Sequence, residues 1–276
     1  MPVCLIFNAD DYGLTPAVSR AIRDAHLNGV VTSTTCMMNL PDTAADIRIA
    51  QQETPRLGLG VHLVLTAGRP VLPPERVRSI IDNSGRFLRP DDLISKLDQI
   101  VIAEVKAEWR AQVKAFLRAI GQNPTHLDSH HHSSYFSPAL FRAMLELARE
   151  YHCAVRLPVL DKTHWEVTGL PETVTPVLQK KISALVAEFK PPCPDTFFAD
   201  FYDENATRME IERILSTISD GTAEIMCHPG YNDPALKAVS SYNHQREAEL
   251  NVLTAPEVLN AIRLRDMELV HFGKLA

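Results

Sequence analysis

The chain has 276 residues, 45% of them hydrophobic and 22% charged, which fits one large globular α/β domain and excludes a disordered or fibrous chain. Its net charge of -6 is spread without any block of like charge, which disfavours nucleic acid or an anionic membrane as main partner and favours a small molecule. No apolar run approaches the roughly 20 residues of a membrane span, and the start Met1-Pro-Val-Cys-Leu-Ile-Phe-Asn has no basic region, h-region or cleavage site, so the expected location is cytoplasmic.

In chain order, β-rich runs alternate with helical spacing. Val3–Asn8 reads as a strand and Pro16–Asn28 as a helix, followed by strand Val30–Met38, helix Thr43–Glu53 and strand Leu57–Leu65. The stretch Arg69–Pro90, with four prolines and a Ser-Gly turn, reads as a long irregular loop. Helix Leu93–Ile120, strand His126–Asp128, helix Pro138–Tyr151 and strand Ala154–Leu157 come next, then a second long loop at Pro158–Pro171. Helix Val174–Phe189, strand Phe197–Ala199, helix Ala206–Ser219, strand Ala223–Cys227, helix Ala255–Arg265 and strand Leu269–His271 complete the chain. Eight strands interleaved with helices predict a single α/β domain over residues 1–276, a TIM-like (β/α) barrel, distorted or incomplete. The five cysteines, odd in number and widely spaced in apolar runs, read as buried reduced packing residues.

Polar, metal-competent residues gather near the C-terminal ends of these strands, where barrel active sites form. Asp10 and Asp11 follow the first, His62 lies in the third, His126-Leu-Asp128-Ser-His130-His131-His132 follows the fourth, and His228-Pro-Gly closes a late one. Adjacent carboxylates repel unless something positive relieves them. A metal does so: one carboxylate can bind the ion while its neighbour acts as a base on water. An Asx turn capping the next helix is the plainer reading of the same pair. His62 alone fits a hydrogen-bonded core histidine as well as a ligand. Four histidines and an Asp within seven residues, in a chain with 11 histidines, point more firmly to metal. Two imidazoles and a carboxylate leave open coordination positions, and the ligand types admit Zn²⁺, Mn²⁺, Fe²⁺, Co²⁺ or Mg²⁺. His228 is suited to act as an acid toward a leaving amine, or to a structural role. Arg156, at another strand end, could orient Asp10, bind substrate or form a salt bridge in the barrel wall.

The blocks Asn8-Ala-Asp-Asp-Tyr-Gly-Leu14, Asn28-Gly-Val-Val-Thr-Ser-Thr-Thr35, Gly60-Val-His-Leu-Val-Leu-Thr66, Pro124-Thr-His-Leu-Asp-Ser-His-His-His132 and Met226-Cys-His-Pro229 occur together and in order. Through them the chain resembles the YdjC-like carbohydrate deacetylases, the family of bacterial chitooligosaccharide deacetylase. The resemblance implies a barrel related to that of the polysaccharide deacetylases. It also implies one divalent ion, Mg²⁺ or Zn²⁺, held by Asp11, His62 and His130, with Asp10 as general base and His228 as acid or substrate binder. The implied activity removes acetyl groups from N-acetylated sugars, short chitooligosaccharides such as diacetylchitobiose, and leaves a homo-oligomer open. Relatives commonly continue His-His-His with Val-His-Met-Phe-Pro; this chain has Ser133-Ser-Tyr-Phe-Ser137 and so lacks one histidine, a departure that bears on which sugar is used. Three rivals share the residues: a non-haem iron oxygenase with the same two-histidine, one-carboxylate set, a glycoside hydrolase using Asp10 and a distant carboxylate, and a catalytically silent sugar-binding relative.

Overall fold

The computed structural model describes residues 3–157 and 175–276. Its eight strands are β1 (Cys4–Tyr12), β2 (Ser33–Cys36), β3 (Gly58–Leu63), β4 (His126–Ser129), β5 (Ala154–Val155), β6 (Thr196–Phe198), β7 (Thr222–Cys227) and β8 (Glu268–Leu269). The helices are α1 (Pro16–Asn28), α2 (Thr43–Glu53), α3 (Pro90–Ser95), α4 (Ile102–Ile120), α5 (Pro138–Tyr151), α6 (Thr175–Phe189), α7 (Arg208–Thr217), α8 (Pro234–Val239), α9 (His244–Leu253) and α10 (Pro256–Leu264).

All strand pairs are parallel, in the order β5-β4-β3-β2-β1-β7-β6, and β8 joins β1 beside that path. β1 is shared along one edge: β8 pairs with its start at Cys4 and Leu5, and β2 takes over from Asn8. In a flat sheet β5 and β6 would lie six strand spacings apart, about 29 Å. Instead Arg156, one residue past β5, reaches Asp10 on β1, Glu224 on β7 and the Phe197 ring of β6. The sheet is therefore curled into a barrel, and no ladder joins β5 to β6 among the described residues. The expected distorted or incomplete barrel is what forms.

Side chains inside the curl are packed on both faces, as parallel strands require. Leu5, Ile6, Phe7 and Ala9 of β1 are fully buried. Close approach sets Gly60: a Cβ there would lie 2.5 Å from Cε1 of His126 on the adjacent strand. Helix starts follow local chemistry. Thr15 and Ser137 accept from the backbone N–H of Val18 and Leu140, each followed by Pro at the first helical position.

Boundaries differ where tertiary contacts intervene. β1 runs on to Tyr12, so Asp10 and Asp11 lie within the strand and not after it. The single helix expected over Leu93–Ile120 is two, because the Val101 N–H donates to Ser79 Oγ (3.0 Å) and α4 begins beyond it. The Arg69–Pro90 segment carries two short 3₁₀ turns and is pinned to α4. Buried Glu108 accepts from the N–H groups of Val71 and Leu72 (2.9 Å each), and Glu104 accepts from Ser79. α8 and α9 are additional to the expected elements, and the Pro158–Pro171 loop lies outside the described residues. Of the five cysteines expected to be buried, Cys36, Cys153 and Cys227 are, whereas Cys4 and Cys193 are only partly buried.

Candidate metal centre

Side chains alternate along a regular strand, so Asp10 and Asp11 should point to opposite faces. β1 avoids this with a register shift between Ala9 and Tyr12, and Asp11 adopts φ 68. Such a left-handed residue costs on the order of 1–3 kcal/mol, less for Asp than for most, and such strain is retained mostly at functional sites. Both carboxylates, each 3% exposed, thereby face the interior of the barrel mouth.

Asp11, His62 and His130 come together as the family pattern implied. Asp11 Oδ1 lies 3.0 Å from His130 Nδ1 and 3.4 Å from His62 Nε2, and the two ring nitrogens are 3.3 Å apart. Ligand atoms about 2.0–2.2 Å from a shared ion stand roughly 3.0–3.5 Å from one another, so the spacing fits a small divalent cation. His62 is oriented from behind: its Nδ1 meets Asp128 Oδ1 at 2.7 Å, which leaves Nε2 as the donor atom toward Asp11. Asp128 Oδ2 in turn accepts from Thr35 Oγ1 (3.0 Å) and forms an ion pair with Arg156 NH1 at 3.1 Å. Burial opposes a charged imidazole at His62, yet Asp128, Asp10 and Asp11 push it up to about 10. The three carboxylates thus surround His62 with a negative field. Burial likewise opposes ionisation of Asp11, but His130 and Arg246 hold it well below the usual carboxylate range.

Asp10 serves differently. Arg156 grips it bidentately, NH1 to Oδ2 at 2.8 Å and NH2 to Oδ1 at 2.7 Å, and Asn8 donates to Oδ1 at 3.1 Å. Although burial works against it, Arg156 keeps Asp10 ionised far below the usual carboxylate range. The same guanidinium donates to Glu224 (2.8 Å), whose other oxygen has no partner among the described residues, and burial pushes Glu224 up to about 8. Glu224 therefore carries its proton in the native protein between about pH 5 and 8, whereas the unfolded chain releases it near the ordinary 4.5. The native state binds more protons across that window, so stability falls as pH rises through it. Because other groups titrate in the same range, we predict a difference: relative to Glu224→Gln, the unaltered metal-free protein should lose several degrees of melting temperature between pH 5 and 8, at about 2–4 °C per kcal/mol for a chain of this size. The same pH slope in both proteins would refute the assignment.

His228, on the loop after β7, places Nε2 3.9 Å from Asp10 Oδ2 and Nδ1 3.9 Å from Glu249 Oε1. Its backbone N–H donates to Glu249, and the edges of Tyr202 and Tyr242 border the ring. Burial brings the imidazole down to about 4, with the Asp10 charge pulling upward and Arg246 pushing downward. Two residues that sequence reasoning missed, Arg246 and Glu249, come from α9. Arg246 NH2 contacts Asp11 Oδ2 at 2.5 Å, and burial pushes Glu249 up to about 8. The helix spacing of their segment is weak, and nothing in it hinted at a site.

The histidine cluster is divided by its backbone. His126, fully buried, stacks on Phe272 at 3.8 Å and bonds Asn8 and Thr125, a structural role. His131 and His132 take φ 52 and 53, a tight turn that sends His131 to Thr66 Oγ1 (3.0 Å) and His132 toward Tyr135 and Phe197. Burial brings both imidazoles down to about 3. The departing segment Ser133–Ser137 anchors this turn. Ser134 bonds Ser129 through side chain and backbone, Tyr135 OH donates to the Arg156 carbonyl at 2.7 Å, and Ser137 caps α5.

An all-parallel α/β barrel with two histidines and an aspartate converging beside a spare carboxylate is the architecture of an enzyme with a metal-competent centre. The model of the family described as YdjC-like protein matches residues 4–264, and the chain belongs to that family. A carbohydrate deacetylase of Brevibacillus brevis is 38% identical over 273 residues, 98% of this chain and 99% of the relative. One of Thermoanaerobacter pseudethanolicus is 34% identical over 271 residues, 98% of each. A crystal structure from Enterococcus faecalis V583, provisionally described as a cellobiose-phosphate cleavage protein, superimposes with a TM-score of 0.87 at 33% identity over 100% of both chains. Among the described residues no helix is long and apolar enough to cross a membrane.

Proposed function

We propose that the chain is a divalent-metal-dependent deacetylase of N-acetylated sugars, acting on short chitooligosaccharides such as diacetylchitobiose. The observation that carries the reading is the division of labour within one bulge. Asp11 converges with His62 and His130, while Asp10, one residue earlier, is kept anionic by Arg156 and free of that cluster. The names of the curated relatives support the reaction class. Asp11, His62 and His130 would hold the ion, which when bound supplies Lewis acidity toward a carbonyl oxygen and lowers the pKa of water. Two imidazole nitrogens in the set favour Zn²⁺ over Mg²⁺.

Asp10 takes the proton of the water that attacks the acetamide carbon. Arg156 limits its basicity but fixes its direction, and geometry comes first for a general base. His228, 3.9 Å away and neutral in the resting protein, receives that proton and gives it to the nitrogen as the C–N bond breaks. Acetate and a free amino sugar leave. The reading needs no cysteine nucleophile, and burial holds the thiols of Cys36 and Cys227 well above their usual range. The reading takes residues 1–276 as one domain working in the cytoplasm on a small sugar.

The test is acetate release from N-acetylated mono- and oligosaccharides by stripped protein reloaded with Zn²⁺, Mg²⁺ or Mn²⁺. Acetate and free amine should appear in equal amounts and vanish on chelation. Sugar binding without acetate would indicate a silent binder, oxygen uptake an iron oxygenase, and cleavage of the glycosidic bond that survives chelation a glycosidase.

A further inference from the structure

The contact between Arg246 and Asp11 joins a buried cation to a residue of the cation site, and the protein goes to some length to make it. Arg246 is 4% exposed, its Nε donates to the Tyr242 carbonyl (3.1 Å), and its guanidinium lies 5.6 Å from the Tyr242 ring centre. Gly230, two residues past His228, makes room for its stem. A Cβ at Gly230 would lie 3.0 Å from Arg246 Cδ and 3.2 Å from its Cβ. NH1 has no hydrogen-bond partner among the described residues, an arrangement that by itself destabilises the fold. What it secures is NH2 against Asp11 Oδ2 at 2.5 Å, while Oδ1 alone faces His62 and His130.

We propose that Arg246 is a positioning residue that commits Asp11 to the metal through one oxygen and so selects small divalent ions over calcium. Calcium takes six to eight oxygens at about 2.3–2.6 Å, often with a bidentate carboxylate, whereas zinc and manganese accept one carboxylate oxygen beside imidazoles. With Oδ2 engaged by a guanidinium, the bidentate mode is closed. The fixed positive charge further penalises an ion that depends on carboxylate charge instead of nitrogen donors. The inference rests on the Asp11, His62 and His130 ligand set of the proposed function, but not on its substrate.

The test is calorimetric titration of the metal-stripped full chain with Mn²⁺, Zn²⁺ and Ca²⁺, comparing Arg246→Gln and Arg246→Lys with the unaltered protein, alongside circular dichroism. Loss of a group that orients a metal ligand typically changes affinity by about 10–100-fold. Accordingly, the ratio of Ca²⁺ to Mn²⁺ affinity should rise about tenfold or more in Arg246→Gln, whichever way the absolute affinities move. Arg246→Lys, which keeps the charge and a donor, should return most of the discrimination. A purely structural Arg246 would instead weaken all ions in proportion, and an unchanged ratio in folded Arg246→Gln overturns the proposal. If that variant does not fold, X-ray absorption of the unaltered Mn²⁺-loaded protein decides: one carboxylate oxygen from Asp11 supports it and two overturn it. Failure of acetate release with selectivity intact would count against the deacetylase and not against Arg246. Absence of any metal binding would overturn both.

Discussion

His62→Ala should lose metal and activity together, as should His130→Ala and Asp11→Asn. Each removes one of three donors that lie within 3.4 Å of one another, and the ring of His62 is also the bridge to Asp128. Among the described residues no other histidine, cysteine or carboxylate joins these three donors. The nearby alternative group, Asp10, His62 and Asp128, shares His62 and is already engaged by Arg156. We expect metal content by elemental analysis to fall well below stoichiometric, with turnover falling by at least the roughly 100-fold scale typical of lost metal-site groups. His131→Ala and His132→Ala should keep the metal, because the turn directs those rings elsewhere. Full occupancy in His62→Ala and His130→Ala would contradict the ligand assignment, and lost occupancy in His132→Ala would move the registry of the site.

Asp10→Asn separates the paired carboxylates. It should retain the metal and bind substrate, yet lose turnover by roughly 100-fold or more, the usual scale of general-base catalysis. In the variant Arg156 and Asn8 can still donate to the one remaining oxygen, but the amide NH2 faces the other guanidinium nitrogen and buried Arg156 loses a counter-charge, so a thermal melt must first show that the variant is folded. The acidic limb of the pH–rate profile should move or vanish in the variant. In the unaltered protein that limb is expected to belong to Asp10 and His228 jointly, since their charges interact across 3.9 Å. Asp10 is held far below neutrality and His228 at about 4, so activity is retained above that limb and lost as pH falls through it. Near-normal acetate release by metal-loaded Asp10→Asn would make Asp10 a structural partner of Arg156 and leave His228 as the base.

Much of this was legible in the chain because it is local. Strands of a parallel barrel are buried on both faces, so runs such as Leu5-Ile-Phe and Leu57–Leu65 stand out as continuous apolar segments. The polar residues that interrupt or end them, Asp10, Asp11, His62 and His130, are conspicuous for the same reason. Amphipathic helices with side-chain caps, such as α1 and α5, match their expected bounds. α4 does not, because what starts it is Ser79, more than twenty residues earlier in the chain.

The sequence by itself determined the alternation of strand and helix, the barrel class, and the types of donor available at its mouth, since each is written in runs of a few residues. Tertiary structure decided which histidine does what. His126, His130, His131 and His132 are chemically identical, and only the turn at positive φ and the packing of Phe272 send one to the cluster with Asp11 and His62 and the others elsewhere. It also decided the charge environment. Arg156 and Glu224 meet across 68 residues and Arg246 and Asp11 across 235, and a charge in a helix such as α9 looks like a solvated face until the fold buries it. Short-range patterning fixes which groups are present, but a carboxylate's proton affinity depends on what lies within a few ångströms of it, and only the closed fold sets those distances.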